Sequence, residues 1–206
     1  MLKKLGIIKS KTKSSDVFNR YIEPDFMHNT LSPSDYLSKC WKLYQKSNVE
    51  KNNALNGSIF ELIIATLLVK EKILPLHLHA KVAFVPNVIF DAMLYSKECG
   101  PIAISMKTSL RERYKQADLE AIALKYVHRK AENYLLTMNQ NEAISITEKI
   151  CSGDILGLDR AILVTSTGFD EFIDEIKSKT LINPGNIDII TASKVIIPET
   201  LNASDF

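Results

Sequence analysis

Two charged residues, Asp91 and Lys107, have the types and spacing that could support chemistry. Asp91 interrupts the apolar run at 88–95, where a carboxylate needs a cationic partner or a metal ion to offset the cost of its desolvation. Side chains alternate across a strand, so Lys107 shares a face with Ser105. A turn at 97–101 predicts a hairpin that brings the aspartate and the lysine together. The pair suits either catalysis or a cross-strand ion pair on a solvated face.

The residues from Lys107 onward, KTSLRERYKQADLEA, resemble a motif of the PD-(D/E)xK nuclease superfamily. The resemblance extends from Glu61 to Glu120. It is to the type II restriction endonucleases whose sites contain CCGG, or CC and GG separated by a short centre. In that branch a small residue replaces the acidic residue two before the lysine, and a Glu on the next helix takes its place. Ser105, Lys107 and Glu120 match this arrangement, although the residue before Asp91 is not the Pro of the literal motif.

The resemblance implies phosphodiester hydrolysis assisted by one or two Mg²⁺ ions. Asp91 and Glu120 would bind the metal, with the backbone carbonyl of Met106 as a further ligand, and such hard oxygen donors suit Mg²⁺. Lys107 would orient or help to deprotonate the attacking water and would offset the charge that develops in the transition state. The alternative for Glu120 is an exposed helix carboxylate with no role in catalysis.

Glu61 is similar to the acidic residue that the superfamily carries on its first core helix, near the active site. Ser58 and Glu61 also have the spacing of a capping box, in which the Glu side chain bonds the backbone at the start of the helix. The two interpretations are compatible, and the sequence does not choose between them.

The charged segment after Lys107 is the expected DNA-reading surface. Arg presents a planar fork to guanine O6 and N7, and a carboxylate accepts from cytosine N4, so Arg111, Glu112 and Arg113 could read adjacent G·C pairs. The position of this triplet resembles that of the residues with which related enzymes read CC and GG. Lys115 and Gln116, with Tyr114, would position the strand or the helix, and Lys115 would also contact a phosphate. The alternative is an exposed, charged helix start.

Hydrophobic periodicity and turn residues predict the elements that must position these side chains. We expect helices over 32–44, from near 56–58, over 110–138 and over 169–177, and strands at 76–85, 88–95, 102–107, 160–166 and near 187–191. The first 30 residues are polar and irregular in pattern. A strand, helix, strand passage favours a parallel pair, so we expect an α/β fold with a mixed central sheet flanked by helices. The resemblance implies that this fold is like that of restriction endonucleases.

Composition limits the alternatives. The chain has 206 residues, of which 46% are hydrophobic and 24% charged, which fits a globular fold and excludes a mostly disordered chain or a coiled coil. The longest apolar run, at 62–69, is well short of the roughly 20 residues that span a bilayer. The basic start lacks the apolar region of a secretory signal. We therefore expect a cytoplasmic protein without a membrane partner. Cys40, Cys99 and Cys151 lack zinc-site spacing and are expected to be free thiols.

The resemblance implies a type II restriction endonuclease, and we expect a single nuclease domain over 1–206, made of a helical or irregular part at 1–50 and a catalytic core at 56–191. It would be a homodimer that cuts both strands of double-stranded DNA at a short palindrome containing G·C pairs and leaves 5′-phosphate ends, with the cognate methyltransferase as a separate protein. The alternatives are a structure-specific or nicking repair nuclease of the same fold, a non-enzymatic DNA-binding module, which the lack of a carboxylate at Ser105 allows, and a protein-interaction domain.

Overall fold

The computed structural model describes residues 1–109, 113–184 and 190–197. The α-helices are α1 (Lys13–Val17), α2 (Pro33–Lys46), α3 (Asn53–Lys70), α4 (Arg113–Val127), α5 (Gln140–Ser152) and α6 (Thr167–Ser178). A π-helical turn (Phe18–Ile22) and a 3₁₀ turn (Phe26–His28) lie between α1 and α2. The strands are β1 (Leu76–Val82), β2 (Phe90–Ser96), β3 (Gly100–Lys107), β4 (Glu132–Thr137), β5 (Arg160–Leu163) and β6 (Ile190–Ile196).

The six strands form one mixed sheet in the order β5-β4-β3-β2-β1-β6. The β2–β3 hairpin is antiparallel, with Ala92 opposite Ile104, as the turn at 97–101 predicts. β3, β4 and β5 are parallel, because helices α4 and α5 carry the chain back to the start of each next strand. This arrangement confirms the predicted fold class, a mixed central sheet flanked by helices.

Helices cover both faces of the sheet. On one face, α2, α3 and α6 share a buried cluster with Ile102, Ile104 and Met106 of β3, and on the other α4 contributes Leu124 to a cluster with Ala103. This split confirms the predicted alternation along β3. Helix α3 is long and apolar enough to cross a membrane by length and composition, yet most of it is buried within the fold, as in a core helix.

The first 30 residues are not simply irregular, because many of them are packed. Leu5, Phe18 and Phe26 are fully buried in the same cluster as α3. Their apolar side chains are spaced among lysines and serines, so the segment lacks the periodicity that would predict a helix or a strand. The part at 1–50 therefore shares its core with the sheet.

The predicted helix over 110–138 is wrong beyond Val127. Helix α4 ends there, and Glu132–Thr137 forms β4 in the middle of the sheet. Without Gly or Pro in this stretch, local sequence gives no stop signal, whereas the parallel ladders to β3 and β5 provide backbone partners that the sequence alone does not show. The last strand extends to Ile196 rather than ending near 191, and residues 187–189 of the prediction lie outside the described chain.

The position of α4 over the sheet is fixed by one tight contact with the loop before β5. Asp118 Oδ1 accepts hydrogen bonds from the backbone amides of Leu156, Gly157 and Leu158 at 3.2, 2.6 and 3.3 Å. A Cβ at Gly157 would lie 2.4 Å from the backbone oxygen of Asp118, so this approach requires glycine. The contact holds the second turn of α4, which carries Glu120, in place.

Candidate active site

The structure brings Asp91 and Lys107 together at one edge of the sheet. Asp91 is the second residue of β2 and Lys107 is the last residue of β3. Lys107 Nζ lies 2.7 Å from Asp91 Oδ2, which also accepts a 2.7 Å hydrogen bond from the backbone N–H of Met106. The two side chains are 14% and 19% exposed, so the ion pair is largely shielded from water yet open at one side.

Glu120 reaches the same corner from α4. The charges on Lys107 and Asp91 both act on it, and burial raises the pKa of its carboxyl group above the usual value. Gln116, one helical turn earlier, donates a hydrogen bond of 2.7 Å from Nε2 to Glu120 Oε1. The helical acid downstream of the lysine is therefore near enough for the charges of Asp91 and Lys107 to act on it.

Glu61 approaches from the opposite face of the sheet. Burial first, and then the negative charge of Asp91, raise the pKa of Glu61 to about 7. Its Oε2 atom lies 3.9 Å from Nε2 of His79. The capping-box interpretation is wrong, because α3 begins at Asn53 with Asn52 as its N-cap, which places Ser58 inside the helix. Asn52 was missed because the Asn-Gly-Ser at 56–58 looks like a later helix start.

Ser105 and Met106 line the strand between these groups. Ser105 is 7% exposed and lies two residues before Lys107, on the face of β3 that α4 covers. The Met106 N–H is directed at Asp91, and the carbonyl of the same residue in an extended strand faces the same neighbouring strand. The Met106 oxygen is therefore on the Asp91 side of β3.

The predicted DNA-reading residues are only partly covered by the structure. Arg111 and Glu112 lie outside the described residues. Arg113 is the first residue of α4 and is exposed, as is Lys115 one residue beyond Tyr114. The amide of Gln116 is engaged with Glu120, which links it to the acidic corner.

A pocket of about 260 Å³ opens beside Asp91 and brings in residues that sequence reasoning missed. Its wall includes Lys194 of β6, His79 of β1 and Lys9. Glu61 and Lys9 act electrostatically on Lys194, whose pKa burial lowers. Lys194 was missed because the predicted last strand ended before it, and Lys9 because a basic start has no periodicity that assigns it to a site.

The strand carrying His79 has a local irregularity next to Asp91. His79 has a φ of +51°, which is unusual for a residue inside a strand. Leu76 and Leu78 pack in the α3 cluster, whereas Ala80 and Val82 pack in the α4 cluster, so the alternation shifts at His79. This shift explains why His79 is exposed in the pocket while His77 is buried.

The donor atoms at this corner are of the kind that Mg²⁺ prefers. Asp91, Glu120 and Glu61 supply carboxylate oxygens, and Met106 a backbone carbonyl. Burial first, and then the negative charge of Asp91, raise the pKa of Glu61 and of Glu120, and a bound divalent cation would favour the ionised form of both. Among the residues that the structure describes, no group of three or more His, Cys, Asp and Glu is already drawn together at metal-binding distance. The residues fit the ion in chemistry and charge.

No family model matches the chain, and no curated protein matches it. A solved structure described as "Restriction endonuclease PspGI-substrate DNA complex" is similar at 19% sequence identity, with a TM-score of 0.47, over 84% of this chain and 78% of that chain. A likeness at this level carries no functional conclusion. The functional proposal therefore depends on the geometry of Asp91, Lys107, Glu120 and Glu61.

Proposed function

We propose that this protein is a Mg²⁺-dependent endonuclease of the type II restriction class, acting on double-stranded DNA. The observation that carries the proposal is the convergence of Glu120 and Glu61, from helices on opposite faces of the sheet, on the Asp91–Lys107 pair. Half-buried carboxylates that the charge of a third one disfavours weaken a fold, so their presence at one open corner supports a functional site.

Each side chain has a distinct role in this proposal. Asp91 and Glu120, with the Met106 carbonyl, would hold Mg²⁺, which when bound supplies positive charge to the scissile phosphate. Lys107 orients the attacking water and stabilises the negative charge that develops on the phosphate. The Met106 N–H donates to Asp91 Oδ2 and so orients the carboxylate, and the same oxygen accepts from Lys107 Nζ and holds the ammonium group in position. Hydrolysis would leave a 5′-phosphate and a 3′-hydroxyl.

Ser105 and Glu61 complete the corner. Ser105 occupies the strand position two before Lys107 without adding a charge, so the acidic ligand has to come from Glu120 on α4. Glu61 adds negative charge from the α3 side. Lys194 and Lys9 line the same pocket as Glu61 and Asp91 and would supply countercharge to a DNA phosphate.

Recognition of the DNA sequence is assigned to Arg111, Glu112 and Arg113. Lys115 and Gln116 are assigned to the DNA backbone or to positioning the DNA strand. A short palindrome containing G·C pairs is cut on both strands most simply by a two-fold symmetric homodimer, because the symmetry of the protein then mirrors that of the site. Protection of the host genome requires a cognate DNA methyltransferase, proposed here as a separate protein, and the single nuclease domain is proposed to act in the cytoplasm.

The decisive experiment is incubation of the protein with a long DNA of known sequence and Mg²⁺, followed by sequencing of the fragment ends. We expect double-strand breaks at one short recurring sequence, with 5′-phosphate ends. Cuts without a recurring sequence, or single-strand nicks, would instead indicate the structure-specific or nicking nuclease. Salt-sensitive DNA binding without any cut would indicate a binding module, and a lack of both would exclude nucleic acid as the substrate.

A further inference from the structure

The loop between β1 and β2 lies at the same sheet edge as the candidate active site. It spans residues 83–89, directly before Asp91 on β2. Val85 and Val88 are buried, at 4% and 9% exposure, and anchor the loop against the sheet. Phe84, in contrast, is 85% exposed. An anchored loop thus presents one large aromatic side chain to the outside.

The backbone at Phe84 is in an unfavourable conformation for its residue type. Phe84 has a φ of +65° and Asn87 a φ of +63°. Asn tolerates the left-handed region because its short polar side chain bonds locally, whereas Phe has no such compensation. Glycine would suit position 84 better on both backbone and solvation grounds. The phenylalanine is therefore explained by neither folding nor solubility, which points to a role in contact with another molecule.

The loop that carries Phe84 enters β2 close to Asp91, which fits DNA held at the proposed active site. A strand advances about 3.3 Å per residue, so the base of the loop at Val88 lies roughly 10 Å from Asp91, which is about three steps along a stacked duplex. Residues 83–89 contain no charged side chain that would repel phosphates. Lys81, at the end of β1, is exposed beside the loop and supplies positive charge to the same edge.

We propose that Phe84 is a wedge that inserts between neighbouring bases of the bound DNA and partly unstacks them. Apolar side chains used in this way kink the duplex and let it follow the protein surface. DNA, rather than a second copy of the chain, is the expected partner because the loop is continuous with the edge that holds Asp91. This inference rests on the nuclease function proposed above and adds a contact that shapes the substrate.

The test uses a duplex that carries the cut sequence mapped by fragment-end sequencing, with 2-aminopurine at successive positions. Wild-type protein, added without Mg²⁺, should raise the fluorescence at one base step. Phe84→Gly should abolish that rise and weaken DNA binding roughly tenfold to hundredfold, the range of lost base–aromatic stacking. Its Tm should stay unchanged or rise, because glycine relieves the backbone. Phe84→Trp should restore binding and fluorescence.

Asn87→Gly is the matched control, because it changes a left-handed residue of the same loop without removing an aromatic ring. It should bind DNA within about twofold of wild type. The wedge is overturned if Phe84→Gly binds DNA with wild-type affinity or still raises the fluorescence. It is also overturned if Phe84→Gly forms fewer dimers while each remaining dimer binds DNA as tightly as the wild-type dimer does. If Phe84→Gly cuts normally and Lys107→Ala does not, the wedge is wrong and the nuclease stands. If wild type neither binds nor cuts DNA, both proposals fall.

Discussion

Two aspartates in this fold make the same local contacts but differ in their surroundings. Asp91 accepts hydrogen bonds from Lys107 Nζ and the Met106 N–H, each at 2.7 Å. Asp159, just before β5, accepts from Lys125 Nζ and from a β4 backbone N–H, also at 2.7 Å. Each aspartate thus binds one lysine and one strand backbone N–H.

The two aspartates differ in the other carboxylates near them and in their exposure to water. Glu61 and Glu120, whose pKa values burial raises, both feel the charge of Asp91. The side chain of Asp159 is 38% exposed, against 14% for Asp91. An aspartate–lysine ion pair therefore does not by itself indicate catalysis. The proposal of catalysis at Asp91 rests on the further acids near a shielded pair, which cost the fold stability.

The largest expected contrast is in cleavage by the two lysine variants. Lys107→Ala should lower DNA cleavage by about 10³-fold or more, because it removes the ammonium group that stabilises charge on the phosphate, while DNA binding stays largely intact. Lys125→Ala should cleave within about twofold of wild type. A gel-based cleavage assay, with circular dichroism to check folding, makes the comparison. Comparable cleavage by the two variants would remove Lys107 from the catalytic residues.

The next contrast is in stabilisation by Mg²⁺. At roughly ten times its dissociation constant, Mg²⁺ should raise the Tm of wild type by about 3–5 °C. Asp91→Asn should lose this shift, whereas Asp159→Asn should keep it on top of a lower starting Tm. Differential scanning calorimetry with Mg²⁺ and with EDTA measures both. Equal shifts in the two variants would place the ion away from Asp91.

The smallest contrast is in the pH dependence of unfolding. Glu61 has an ordinary pKa of 4.5 that rises to about 7 in the folded protein, so the folded state favours the protonated form. Wild type should lose stability as the pH rises from about 4.5 to 7, and Glu61→Gln should not incur this loss. In EDTA at pH 8 the variant should be more stable than wild type by about 1 kcal/mol, and near equal to it at pH 4.5.

Urea titrations at several pH values measure this difference. The control is Glu148→Gln, which changes an exposed carboxylate on α5 and should track wild type throughout. A Glu61→Gln variant that is less stable than wild type at pH 8 would show that Glu61 is held as an anion by favourable contacts.

The sequence predicts the central hairpin and its charged pair well, because alternation and the turn at 97–101 are local signals. It predicts Glu120 only through the resemblance, since no local pattern says where a helix will pack. Strand β4 was missed because its place depends on β3 and β5 rather than on its own residues.

The remaining errors have the same physical origin. Lys194 and His79 reach the pocket through strand pairing between β1 and β6, two segments far apart in the chain. The side chains of β1 change faces at His79 because its backbone is left-handed, and a histidine in the sequence does not predict that conformation. Contacts between distant segments therefore account for the pocket residues that the amino-acid sequence did not predict.

The pocket beside Asp91 is lined both by the N-terminal segment, through residues that include Lys9 and Ser10, and by Lys194 of β6. During translation, Asp91, Lys107 and Glu120 leave the ribosome well before Lys194 does. The β6 side of the pocket cannot form until that strand has emerged and paired with β1. The residues of the proposed metal site are therefore synthesised before the strand that completes the pocket, so the pocket forms later than the site it adjoins.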